Sequence, residues 1–82
     1  SFLAAHNQED KYLETEIYNR WDELAGREIN VKTRKVAFKE GVLIVFLSSS
    51  TLRQELSLRK TAMMEKLNQR LRGAPVKDII LK

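Results

Sequence analysis

The stretch FKEGVLIVFLSSS (residues 38–50) limits this chain more than any other. Val42–Leu47 is the longest unbroken apolar run. Six residues rich in β-branched and aromatic side chains favour a strand over a helix. Upstream, Lys35–Lys39 alternates, with Val36 and Phe38 on one side and Ala37 on the other. Lys39, Glu40 and Gly41 make a tight turn between them, Gly41 being able to take positive φ. A β-hairpin therefore lies at the centre of the chain. The hydroxyls of Ser48, Ser49, Ser50 and Thr51 close it. Ser49 or Ser50 is placed to cap a helix after the hairpin, and Thr51 with Gln54 fits a capping box.

Helical spacing flanks the hairpin. Leu13, Ile17, Trp21 and Leu24 recur at steps of four, four and three, predicting a helix that Asn7 or Asp10 caps and Gly26 stops. Residues 27–34 read as an irregular connection. After the hydroxyls a second helix is expected as far as Arg72, with Leu52, Leu56, Met63, Leu67 and Leu71 on one side and Met64 at its margin. Gly73 would terminate it and Pro75 bar its continuation. Residues 76–81 read as a third strand. Residues 1–9 are expected to add a turn or to form an N-terminal arm.

The resulting order is α-β-β-α-β in one domain spanning residues 1–82. The fold class is α+β, a three-stranded mixed sheet with two helices packed on one face. The third strand should run parallel to the second, because the second helix returns the chain to the same end of the sheet. Leu43, Val45 and Leu47 should face the helices. Ile44, Phe46 and Ile80 would then form an apolar patch on the open face. Such a patch suits a homodimer or partner interface, a base-stacking platform, or a surface covered by Phe2 and Leu3. Leu58 lies opposite the apolar arc of its helix, a second contact surface.

Eighty-two residues hold one core and at most a shallow site. The chain has no cysteine, which excludes disulfides and thiolate metal sites and suits a reducing cytoplasm. No apolar run approaches the roughly 20 residues of a membrane span, and no signal-peptide pattern opens the sequence. His6 stands without metal-ligand spacing, so neither metal nor other cofactor is expected. The serines lack the spacing of a nucleophile with its base, and no glycine-rich phosphate loop occurs. An enzyme is not expected. The hydroxyl run is then chiefly a strand exit and helix cap, with phosphate binding at the helix start as its secondary reading.

Charge is distributed unevenly. Residues 1–28 carry seven acids and three bases, and residues 29–82 carry four acids and twelve bases. A basic body of this kind suits a polyanionic partner, DNA or RNA. The cations of the second helix do not share one narrow face, so a basic surface must draw on several elements. Lys32, Arg34 and Lys35 are expected to be joined by Arg53, Arg59 or Lys60. Lys60 lies within the apolar arc and would snorkel outward.

In these residues and their order the chain resembles the DciA family. The resemblance rests on Trp21 followed by Gly26, on Thr33, on FKEGVLIV at 38–45, on SSSTLRQEL at 48–56 and on KLN at 66–68, over about residues 12–82. It implies a KH-like α+β domain that binds DNA and helps to load the bacterial replicative helicase, a cytoplasmic role in DNA replication. A backbone-clamping GXXG loop is missing: Gly26, Gly41 and Gly73 form no such motif. The zinc-ribbon-like cysteines of some related chains are also missing.

Overall fold

In a computed structural model the backbone is described for residues 2–73 and 75–82, and side chains from Lys11 onward, Ala74 excepted. The elements are α1 (Phe2–Asn19), α2 (Trp21–Ala25), α3 (Arg27–Val31), β1 (Thr33–Lys39), β2 (Val42–Leu47), α4 (Ser50–Ser57), α5 (Lys60–Arg70) and β3 (Asp78–Leu81). The sheet order is β1-β2-β3, with β1 antiparallel and β3 parallel to β2. This is the expected α+β architecture, with each expected helix divided.

The helical period survives those divisions, which is why the sequence conceals them. At Arg20 the backbone leaves helical geometry (φ −106°, ψ 13°) and the chain re-enters a helix at Trp21. Ile17, Trp21 and Leu24 are buried on both sides of that turn. Gly26 ends α2 as expected, at φ 99°, and its N–H donates to the Asp22 carbonyl. Beyond it the chain forms the short helix α3 rather than an irregular connection. The second division falls at Leu58 and Arg59. Ser57 Oγ donates to the Arg53 carbonyl at 2.9 Å, competing with the backbone ladder where α4 ends. At its far end α5 stops at Arg70, because Leu71 is already extended at φ −110°, ψ 141°. The positive φ of Gly73 belongs to the loop beyond. Asn7 and Asp10 fall inside α1, which reaches back to Phe2, and do not cap it. Whether Phe2 and Leu3 cover the sheet lies outside the described side chains.

The core forms between the helices and the inner face of the sheet. Val36, Phe38, Leu43, Val45, Leu47 and Ile79 are buried from the sheet, and Leu52, Leu56, Met63 and Leu67 from α4 and α5. Trp21 supplies the largest buried side chain. Its indole N–H donates to Thr33 Oγ1 at 2.8 Å, and that hydroxyl donates to the Ile29 carbonyl at 2.7 Å. A buried indole N–H is thereby satisfied, as burial of a polar group demands. The Glu14 carboxylate accepts from the Phe38 N–H at 3.0 Å, tying α1 to β1.

Two local devices hold the entry to β3. Residues 76 and 77, expected within the strand, form its lead-in. The Asn68 amide mimics a backbone pair, donating to the Val76 carbonyl at 2.8 Å and accepting from its N–H at 2.9 Å. Gly41, at φ 84° beside Glu40 at φ 52°, makes the hairpin turn, and its carbonyl accepts from Lys77 N–H at 2.7 Å. Two successive positive φ values are those of a type I′ turn, which matches the twist of the strands.

Candidate nucleic-acid interface

Strict alternation along β1 would place Arg34 on the face of Val36 and Phe38, toward the core. A β-bulge prevents that. Thr33 pairs with Leu47 and Lys35 with Phe46, so Arg34 is the additional residue. Thr33 turns inward to meet Trp21, while Arg34 and Lys35 are both exposed.

The bulge lies at the end of the sheet where β2 passes into α4 and β3 ends. Arg34, Lys35, Arg53 and Lys82 come together there with Phe46 and Leu47 around an open cleft of about 520 Å³. Lys35 Nζ lies 5.7 Å and Lys82 Nζ 6.0 Å from the centroid of the Phe46 ring. These are long cation–π contacts, each worth about 0.5–1 kcal/mol or less at an exposed site. No acidic side chain lines the cleft, and among the described residues none of the side chains of its four cations has an ion-pair partner. Arg20 is the contrast. Its guanidinium meets Glu23 at 3.4 Å and Glu16 at 3.1 Å. Its pKa is raised above the ordinary arginine value, first by the hydrogen bond with Glu23. Arg20 is thus locally neutralised, whereas the cleft keeps its positive field.

Three of the six cations expected at the interface, Arg34, Lys35 and Arg53, meet in this cleft. Lys32 is exposed just before β1 but does not line it. Arg59 lies elsewhere, in a groove with Leu24, Ile29, Leu56 and Lys66. Lys60 is exposed and lines neither site, outside the apolar arc where a continuous helix would have placed it. Lys82 is the missed residue. It continues the alternation Ile80–Lys82, and that period of two was the available signal.

The apolar candidates separate as well. Ile44 and Ile80 pair across β2 and β3, and Ala37 pairs with Ile44 across β1, giving one apolar row on the open face. Ile80 is 38% exposed, and Phe46 is half-buried under its two lysines. Leu58 is 84% exposed but stands at the junction of α4 and α5, within the helix layer, and does not extend that row.

The hydroxyl run has structural work. Ser48 N–H and Oγ both donate to the Lys32 carbonyl, at 2.8 and 3.2 Å, fastening the end of β2 to the entry of β1. Ser49 is the N-cap, its Oγ accepting from Leu52 N–H at 3.1 Å. Thr51 therefore does not serve as the cap. Among the described residues no cluster of histidine or carboxylate side chains could hold a metal ion, and no helix is long and apolar enough to cross a membrane.

A family model described as "Dna[CI] antecedent, DciA" matches residues 2–81, essentially the whole chain. No curated protein and no solved structure matches it.

Proposed function

The chain belongs to the DciA family, and from that premise we propose that it is a non-enzymatic DNA-binding accessory of the bacterial replicative helicase, acting in the cytoplasm during helicase loading. The family carries the link to replication and the helicase. The cleft of Arg34, Lys35, Arg53 and Lys82 around Phe46, with no acidic side chain in its lining, carries the nucleic-acid reading. Guanidinium groups of Arg34 and Arg53 suit bidentate contact with phosphate oxygens, and the two ammonium groups act as point charges beside them. Such contacts hold a backbone with little regard for sequence. The polar side chains of the cleft are all cationic donors, suited to the phosphate oxygens that DNA and RNA share. RNA is expected to bind comparably to single-stranded DNA.

The test is a titration of labelled DNA of about 16 nucleotides at two salt concentrations, with and without a replicative helicase. Combined charge reversal of Arg34, Lys35 and Arg53 should weaken binding by at least about tenfold at low salt. Unchanged affinity would remove these residues from the site.

The apolar row of Ala37, Ile44 and Ile80 supports a second reading, a homodimer or docking face without nucleic acid. Light scattering over a concentration series tests self-association. A strict monomer at high concentration rules out the homodimer.

A further inference from the structure

A second depression lies in the helix layer, apart from the basic cleft. Leu24 of α2, Ile29 of α3, Leu56 of α4 and Met63 of α5 form its apolar floor, and Arg59 and Lys66 stand on its walls. Ala62 is exposed at its side, and the small methyl group leaves the space open. The volume is about 210 Å³. That is below the roughly 300–1,000 Å³ of sites that enclose a small molecule, and suits one or two anchoring side chains.

Charge selects the occupant. No acid lines the groove, and among the described residues neither Arg59 nor Lys66 has an ion-pair partner. Two cations flanking an apolar floor complement an apolar anchor flanked by carboxylates. A nucleic acid is a poor match, since no aromatic face is offered for stacking and only two cations are present. Leu58 and Val31, also in the helix layer but outside the lining of the groove, are exposed apolar side chains, at 84% and 66%. We propose that this groove docks an acidic amphipathic segment of a protein partner, a helix presenting aliphatic or aromatic anchors at i and i+3 or i+4 with Asp or Glu beside them. The groove lies in the helix layer and the cleft at the open end of the sheet, so partner and nucleic acid bind together without competing.

Random peptides of about a dozen residues, displayed and selected on the wild-type chain in excess single-stranded DNA, test this. Counter-selection uses Ala62→Trp, which fills the groove from an exposed position. Peptides that prefer the wild type should carry spaced apolar anchors and flanking acids. Their affinity should fall by at least about tenfold on the double variant Arg59→Glu, Lys66→Glu. Circular dichroism of both variants checks the fold, and the double variant alone serves if Ala62→Trp does not fold. Ala62→Trp should leave DNA affinity within about twofold of the wild type, and the double variant should leave the salt dependence of DNA binding at its wild-type slope, which separates this result from the fate of the DNA-binding reading. Failure of any peptide to distinguish the wild type from the variants overturns the proposal, as does enrichment of basic or uncharged peptides, or displacement of the peptides by DNA. Self-association lost in Ala62→Trp would identify a second copy of this chain as the occupant and overturn it equally.

Discussion

Thr33 opens β1 beside the bulge, and its one hydroxyl links three elements. It accepts from the buried Trp21 indole and donates to the carbonyl of Ile29. Thr33→Val keeps the shape and removes both bonds, leaving an indole N–H without a partner. The expected loss is about 1–3 kcal/mol. Urea unfolding followed by the fluorescence of Trp21, the one tryptophan in the chain, measures it, and an unmoved midpoint would show that the bond does not support the fold. Gly41 is the other residue on which a local substitution acts strongly. Its φ is 84°, and an added Cβ would lie 3.1 Å from Lys77 Cδ. Gly41→Ala should destabilise by about 1 kcal/mol or more, read as a lower thermal midpoint. The role of Gly41 was legible, since a glycine between two strand patterns has few other uses. Arg34 was expected on the basic surface and lies there, but the bulge that exposes it beside Lys35 was not legible, because it leaves the residue types unchanged and alters only the count.

At the scale of elements, the hairpin, the third strand and the inward face of β2 could all be read from hydrophobic periodicity. Leu43, Val45 and Leu47 are buried as their spacing requires. The division of the helices escaped that reading, because Ile17, Trp21 and Leu24 keep helical spacing across the turn at Arg20, as do Leu56 and Met63 across Leu58. Strand order is a matter of which edge of the hairpin β3 joins, and no local pattern encodes that. The hydroxyl run was legible as a junction but not in its assignments. Ser49→Ala removes the side-chain acceptor for Leu52 N–H and should cost about 0.5–2 kcal/mol. Thr51→Ala, at an exposed position that caps nothing, should stay within about 0.5 kcal/mol of the wild type. Chemical denaturation of the pair distinguishes them. A larger loss for Thr51→Ala than for Ser49→Ala would place the cap at Thr51 after all.

For the whole molecule, the sequence displays the charge imbalance and hides its partition. Six cations were candidates for one surface, and the folded chain separates them. Arg34, Lys35 and Arg53 join Lys82, Arg59 enters the helix-layer groove, and Lys60 joins neither. The difference has a thermodynamic signature. Each phosphate neutralised on a single strand releases counterion and adds about −0.7 to the slope of log affinity against log salt. Four cations in the cleft therefore predict a slope of about −3 for single-stranded DNA between about 50 and 200 mM salt. Removing a contacting cation reduces the slope as well as the affinity, whereas removing a distant one changes the general field and leaves the slope near its wild-type value. Lys82→Ala should bring the slope to about −2, and Lys60→Ala should leave it at about −3. Fluorescence anisotropy across a salt series resolves the two. Equal slopes for these variants would mean that the strand does not distinguish the cleft from the rest of the basic surface, and the assignment of the cleft as the binding site would fall with that result.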